Sequence, residues 1–285
     1  MDESFFRKVR DSACAMTNLW DRSTPKAVSE IHGYEPFLLT VSHAALTTYE
    51  SVMFLSADRP YRHERKLEFG LVTSPLIRFL LDLLFAIIFI RLKPEERIRT
   101  YHEAGWRELK DASDRLKSRY GDKEDWKAKI KEQEVHLKYL ANVWKIPASS
   151  VSNPTSLPWW PSPGKMLSRG KLSVPDKEFL KFLEDWFYRE FSQDAHMSGA
   201  GAVRIFSKLL LGDDQGRDQT LKKLKTANVL VATALLLAIC SEMNDIGKFD
   251  RGQPLAYLWS VLAQQRAVLD ELFQMRYRLM LLNSE

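Results

Sequence analysis

Apolar residues recur every three or four positions along most of the chain, which is the spacing of one face of an α-helix. No stretch alternates apolar and polar residues between turn residues, as a half-buried strand would. The pattern therefore predicts an all-α protein, a helical bundle of about nine helices with one long loop. The expected helices are 3–20, 35–57, 74–92, 94–120, 122–145, 176–196, 200–211, 219–245 and 254–282.

Two of these helices contain apolar runs, at 83–90 and 229–240. A membrane-spanning helix needs about 20 apolar residues, so both runs are short, and we interpret them as core helices of a soluble protein. The first ten residues are rich in charge and no long apolar segment follows them, which is not typical of a secretory signal. We therefore expect a cytoplasmic protein with no membrane contact.

The composition places the chain among globular proteins. Of its 285 residues, 45% are hydrophobic and 28% charged, which excludes disordered, collagen-like and disulfide-stapled classes. Cys14 and Cys240 are too few for a disulfide framework, and both lie in helical patterns, as expected in a reducing compartment. The net charge of +5 permits an anionic partner without requiring one.

The segment 146–175 interrupts the helical pattern. It holds six of the twelve prolines and seven serines, and it has no acidic residue. Long irregular segments inside compact domains are commonly functional or flexible. We expect this loop to separate an N-terminal helical region, 1–145, from a C-terminal helical region, 176–285, within one compact domain overall.

Trp159 and Trp160 lie in this loop, and Lys165 and Arg169 follow them. The two indoles could stack on unpaired bases beside those cations, as in proteins that bind single-stranded nucleic acid. They could equally anchor the loop on the core, because large aromatic side chains contribute much to packing. The sequence leaves both possibilities open.

The region 93–145 contains 14 basic and 11 acidic residues of mixed order. The simplest interpretation is a hairpin of two long antiparallel helices with a solvated outer face. A groove for nucleic acid is the alternative interpretation of the same basic residues.

The familiar cofactor and metal motifs are absent from the sequence. No histidine follows a glutamate by three residues, and the two cysteines have no histidine at zinc-ligand spacing. The glycine-rich phosphate loops and the Gly-x-Ser-x-Gly elbow are also missing. We therefore expect no metal and no cofactor.

A polar stripe on the helix 176–196 is the strongest candidate site. Arg189 and His196 are seven residues apart and nearly eclipsed on an α-helix, with Ser192 and Asp185 on the same side, while Trp186 is expected on the core side. An arginine can hold phosphate charge and a histidine can act as acid or base near neutral pH, so the pair could act on a phosphodiester without metal. An ordinary solvated or capping face is the alternative explanation, since a cation also suits a helix C-terminus.

A second polar pair, Arg78 and Asp82, interrupts an otherwise apolar helix at the i, i+4 spacing. Ion pairs in apolar surroundings are costly, so they are usually retained for specificity or function. We interpret this one as a structural polar pair that ties neighbouring helices together.

The order of these features resembles a known family. An apolar helix with Arg78-Phe-Leu-Leu-Asp82, charged helices, a loop with tryptophans, and Tyr188-Arg-x-x-x-Ser192-x-x-x-His196 are similar to uncharacterised bacterial all-helical proteins related to HEPN (higher eukaryote and prokaryote nucleotide-binding) domains. The resemblance implies cleavage of single-stranded RNA without metal by two such helices paired in a homodimer. It assigns catalysis to Arg189 and His196, with Ser192 in support.

Two hypotheses follow. The first is a HEPN-like endoribonuclease that cuts single-stranded RNA, in phage defence or a toxin system, with the segment containing Trp159 and Trp160 guiding the strand. The second is a non-catalytic helical interaction or regulatory protein, in which Arg189 and His196 lie at an interface with a protein partner.

Overall fold

The computed structural model describes residues 3–22, 29–56, 68–195, 199–210 and 214–282. Helices dominate these ranges and no strand occurs in them, which confirms the prediction of an all-α protein. His196 lies outside the described residues.

Twelve helices are present in the described ranges. They are α1 Glu3–Arg22, α2 Tyr34–Ser56, α3 Ser74–Arg91, α4 Pro94–Tyr120, α5 Glu124–Val143, α6 Ala148–Ser152, α7 Pro163–Arg169, α8 174–195, α9 Gly199–Leu210, α10 Asp214–Gly247, α11 Gly252–Ala263 and α12 267–282. A 3-10 turn, Glu68–Thr73, leads into α3, and another, Pro154–Ser156, lies between α6 and α7.

The described ranges contain three helices more than the nine expected from the sequence. Two are the short helices α6 and α7 inside the segment 146–175, and the third arises because the expected helix 254–282 is divided into α11 and α12. No glycine or proline lies in the sequence between α11 and α12. Packing explains it instead, because Trp259 of α11 stacks on Phe273 and Tyr277 of α12, with ring centroids 5.8 and 5.0 Å apart.

Helix α10 forms the centre of the fold. Every residue from 230 to 244 is buried, as expected of a helix that is apolar on all sides. Helices α1, α2, α3 and α11 surround it. This arrangement fixes α3 in the core, and α8 packs against α3.

Two helical stretches are long and apolar enough to cross a membrane by length and composition. They are Gly70–Arg91, whose apolar window is 56% buried, and Gln215–Gly247, whose window is 83% buried. Buried core helices meet the same criterion, and both stretches pack inside the bundle. Solubility and a cytoplasmic location remain predictions.

Helices α4 and α5 form the expected hairpin. A small apolar cluster, separate from the main core, joins Trp106, Leu137, Ile146 and Leu157. The indole Nε1 of Trp106 donates a hydrogen bond to the carbonyl of Leu137 at 3.0 Å. The start of the segment 146–175 is therefore packed beneath the hairpin rather than free of it.

At the base of the hairpin, His102 stacks on Trp144 with ring centroids 4.9 Å apart. Burial and the neighbouring His32 lower the pKa of His102 to about 4. Gly33 lies against this imidazole with a φ of 81°, in the left-handed region that favours glycine. Any Cβ at Gly33 would overlap the Cε1 atom of His102.

We expect Gly33→Ala to lower the free energy of unfolding by about 2 kcal/mol, because alanine is strained in the left-handed region and its methyl group must displace His102. The matched control is Gly105→Ala on α4, where a Cβ would meet nothing within 4 Å. There alanine should stabilise the helix by about 0.5–1 kcal/mol. Urea unfolding of both variants measures the difference, and equal effects at the two sites would contradict the expectation.

Candidate functional site around Arg189

Helix α8 carries the predicted polar stripe and contains a π-helical turn. An α-helix, Val174–Leu183, leads into the π-turn Glu184–Tyr188, and a second α-helix, Arg189–Ala195, follows directly. Such turns are rare and often lie at functional sites. The wider turn rotates the helix, so Trp186, which even helical spacing assigns to the core, is 56% exposed.

Arg189 lies on the solvent side of α8. Its Nη2 atom is 3.3 Å from Oδ1 of Asp185, and the two side chains are 67% and 43% exposed. An ion pair this exposed contributes about 0–1 kcal/mol, so the guanidinium can exchange Asp185 for another anion. Ser192 is half-buried on the same α-helix. The relation of these groups to His196 falls outside the described residues.

The residue before Arg189 connects α8 to the predicted pair on α3. Arg78 and Asp82 form an ion pair, and the Arg78 guanidinium lies 3.4 Å from the ring centroid of Tyr188. The Tyr188 hydroxyl donates a long hydrogen bond of 3.5 Å to Oδ1 of Asp82. Tyr188 was not among the predicted site residues, although its position beside Arg189 was visible in the sequence. The cluster of Arg78, Asp82 and Tyr188 fixes the point where Arg189 begins its helix.

A second contact holds the far end of α8. The hydroxyl of Ser74 donates to Oδ2 of Asp194 at 3.4 Å, and both residues are buried. Ser74 is the first residue of α3, so the carboxylate of Asp194 lies near a helix N-terminus, where negative charge is favourable. The helix that starts at Arg189 is thus docked on α3 at both of its ends.

The two tryptophans of the segment 146–175 have different environments. Trp160 is half-buried, and its ring meets those of Phe89 and Tyr101 edge-on, with centroids 5.6 and 5.0 Å apart. These are the contacts of a loop anchor. Trp159 is 53% exposed, and the guanidinium of Arg107 lies 4.0 Å from its ring centroid.

Lys165 and Arg169 are both exposed on α7. Helix α7 lies beside the π-turn of α8, since a Cβ at Gly164 would be 3.7 Å from Oε1 of Glu184. The loop cations and Arg189 therefore belong to neighbouring elements. Within the described ranges, no hydrogen bond, ion pair or ring contact joins Arg189 or Ser192 to the tryptophans or to these cations.

A buried charge network, which the sequence did not predict, lies at the start of α8. Nη1 of Arg276 is 2.7 Å from Oδ1 of Asp176, and its Nε and Nη2 atoms donate to Glu242. The side chain of Glu242 is fully buried, and those of Arg276 and Asp176 are 7% and 8% exposed. Ser173 caps α8 by accepting the amide hydrogen of Asp176 at 3.2 Å.

The network continues from Glu242 toward the surface. Nη1 of Arg91 lies 2.6 Å from Oε2 of Glu242 and 3.0 Å from Oδ2 of Asp245. The Tyr277 hydroxyl donates to Oε1 of Glu242 at 3.3 Å. Acids and bases from α3, α8, α10 and α12 thus neutralise one another, as buried charges must.

These contacts shift the pKa values of the buried groups. Burial lowers the pKa of Arg276, but the charge and hydrogen bonds of Glu242 and Asp176 outweigh it, so the pKa lies above its usual value. Burial raises the pKa of Asp176, but hydrogen bonds from Ser173 and Arg276 reverse the shift, and the pKa lies below its usual value. Both carboxylate oxygens of Asp176 and all three guanidinium nitrogens of Arg276 have hydrogen-bond partners within the network. We therefore interpret the network as a structural link between helices.

The described residues contain no group of three or more His, Cys, Asp or Glu side chains that could hold a metal ion.

Comparison with known proteins finds no relative of this chain. No protein-family model, no curated protein and no solved structure matches the chain.

Proposed function

We propose that this protein is a HEPN-like endoribonuclease that cuts single-stranded RNA without metal, as a homodimer and in phage defence or a toxin system. The observation that supports it best is the presentation of Arg189. The residue begins a helix that is docked on α3 at both ends, yet its side chain is 67% exposed, and among the described residues its guanidinium is paired with Asp185. A rigidly placed and accessible cation is what binding of a phosphodiester requires.

The reaction would be attack by the ribose 2′-hydroxyl on the adjacent phosphorus. A base removes the hydroxyl proton, the 2′-oxygen bonds to phosphorus, and the bond to the 5′-oxygen breaks as that oxygen takes a proton. His196 would exchange a proton with the 2′-hydroxyl or with the leaving oxygen, and Arg189 would stabilise the charge on the pentacoordinate phosphate. Ser192, one turn after Arg189, would support the phosphate by a hydrogen bond.

Trp159 would guide the strand. It is half exposed although one guanidinium lies over it, and the exposed cations Lys165 and Arg169 follow on α7. Bases stack on exposed aromatic rings beside cations without regard to sequence. Trp160, which packs on Phe89 and Tyr101, would position Trp159 rather than touch RNA.

The test is incubation of the purified chain with labelled single-stranded RNA in the presence of EDTA. We expect the wild-type chain to cut the RNA. Arg189→Ala and His196→Ala should each reduce the cleavage rate about 100-fold or more, because each removes a group that acts in the transition state. Circular dichroism of each variant reports whether its helices are intact.

Arg99→Ala is the matched control. Arg99 is 70% exposed on α4 and lies 4.0 Å from Glu103 at the i, i+4 spacing, so its surroundings are those of Arg189 without the candidate site. It should cut at the wild-type rate. Equal cutting by His196→Ala and the wild-type chain would refute the proposal.

A non-catalytic interaction protein is the second candidate. It is favoured by the ion pair of Arg189 with Asp185 and by the exposed indole of Trp186 on the same π-turn, since exposed aromatic and arginine side chains are typical of protein interfaces. Absence of RNA cleavage by the wild-type chain would favour this candidate.

A further inference from the structure

Trp186 is an isolated apolar side chain on the outer side of α8, where it is 56% exposed. Every other exposed residue between 176 and 194 is polar: Lys177, Glu178, Lys181, Asp185, Arg189, Glu190 and Gln193. Among the described residues, the indole has one ring contact, a tilted one with Phe182 at 6.3 Å between centroids. Much of the ring is therefore open to a ligand.

The side chains beside Trp186 carry opposite charges. Asp185 precedes it directly, and Arg189 follows three residues later, which is about 4.5 Å along the helix axis. Nη2 of Arg189 lies 3.3 Å from Oδ1 of Asp185, and both side chains are exposed. We call Asp185, Trp186 and Arg189 the Trp186 surface. It offers an aromatic ring, a hydrogen-bond acceptor and a cation within about one helical turn.

These three groups match the parts of a nucleotide in a single strand. Unpaired bases stack on aromatic side chains and are hydrogen-bonded along their Watson–Crick edges. A guanidinium binds phosphate through parallel hydrogen bonds, so phosphate can replace Asp185 on Arg189. The released carboxylate accepts hydrogen bonds and donates none, which suits the amino groups of adenine, cytosine and guanine. Uracil has no amino group, and its single N–H lies between two carbonyl oxygens that repel a carboxylate.

The polar surroundings of Trp186 distinguish a base from other ligands. Phosphate alone or an anionic membrane would require an excess of cations, whereas the Trp186 surface pairs its one cation with an acid. A protein interface has an apolar centre and about 20–30 residues on each side, whereas Trp186 is the one exposed apolar residue between 176 and 194. A single ring with an acceptor beside it suits one flat ligand that carries hydrogen-bond donors.

We propose that the Trp186 surface binds one base of the RNA strand, and that this base carries an amino group. The base stacks on the indole of Trp186, its amino group donates to the carboxylate of Asp185, and the neighbouring phosphate binds Arg189. The inference rests on the proposed ribonuclease function and names its substrate class. The substrate is a single strand with adenine, cytosine or guanine, rather than uracil, beside the bound phosphate.

The test measures binding of the full chain to labelled single strands of adenine, cytosine or uracil nucleotides by fluorescence anisotropy. A 2′-O-methyl group on each ribose blocks attack by the 2′-oxygen, so binding is measured without cleavage. The wild-type chain should bind the adenine and cytosine strands about 10-fold more tightly than the uracil strand, because they donate to a charged acceptor. Trp186→Ala should weaken binding of all three strands about 10-fold or more, and Trp186→Phe should retain most of the wild-type affinity, because stacking needs an aromatic ring.

Asp185→Ala tests the choice of base. It should bind the three strands with similar affinity, because the acceptor for the amino group is gone. The matched control is Tyr139→Ala on α5, which removes an aromatic side chain that is 62% exposed but lies outside the Trp186 surface. This variant should bind like the wild-type chain, and circular dichroism confirms that each variant is folded.

Equal affinity of the wild-type chain for the three strands, or no binding at all, would overturn the inference. Unchanged binding by Trp186→Ala would also overturn it and leave the indole to a protein partner. If the wild-type chain cuts unmodified RNA while Trp186→Ala and Asp185→Ala bind as it does, this inference alone fails. If the expected losses of binding occur but the wild-type chain cuts no RNA, this inference stands and the ribonuclease fails.

Discussion

Replacing Glu242 with glutamine is expected to lower the free energy of unfolding by about 3–5 kcal/mol, because it removes the fully buried carboxylate that Arg91 and Arg276 share and leaves each arginine with one counter-charge, Asp245 or Asp176. Glu242 is fully buried and accepts hydrogen bonds from Arg91 at 2.6 Å and from Arg276 at 3.2 Å. Glutamine keeps the shape but loses the charge, and its amide nitrogen meets guanidinium donors. Urea unfolding followed by circular dichroism measures the loss.

The matched control for Glu242→Gln is Glu134→Gln on α5. Glu134 is also ion-paired, with its Oε1 atom 2.6 Å from Nζ of Lys117, but its side chain is 42% exposed. Water replaces the lost contact there, so the expected loss is about 0–1 kcal/mol. Similar losses for Glu134→Gln and Glu242→Gln would show that the buried network does not hold α8, α10 and α12 together.

The difference between these two glutamates also shows what sequence patterns could and could not predict. Helical periodicity predicted the bundle, because burial of one apolar face determines where each helix lies. It did not identify the partners of Glu242, an acid that follows an apolar run, because Arg91 and Arg276 are far from it in the chain. An acid embedded in an apolar helix was the available signal, and it indicates a buried partner without identifying it.

The candidate site shows the same limit on a smaller scale. The sequence placed Arg189 and Asp185 on one polar side of α8, and in the structure they form an ion pair. The exposed position of Trp186 and the contact of Tyr188 with Arg78 were missed. The π-turn explains the exposure of Trp186, because the prediction assumed a rotation of 100° per residue along the whole helix. The second depends on the packing of α3 on α8, which no local spacing specifies.

The hairpin of α4 and α5 depends on a few buried side chains, and Trp106 is the largest of them. It is 1% exposed, it donates a hydrogen bond to Leu137, and its cluster is separate from the main core. We expect Trp106→Ala to lower the free energy of unfolding of the hairpin by about 3–5 kcal/mol, because the substitution leaves a cavity. Because the cluster is separate, the loss should be confined to the hairpin.

Hydrogen exchange distinguishes a local loss from a global one. In Trp106→Ala, the amides of α5 should exchange about 100-fold faster or more, while those of the buried stretch 230–244 of α10 keep their protection. Trp126→Ala is the matched control, because this indole stacks on Tyr120 at 4.5 Å near the hairpin tip and is half-buried. It should cost about 0.5–1.5 kcal/mol. Equal acceleration in α5 and α10 would contradict a separate cluster, because the hairpin and the core would then unfold as one unit.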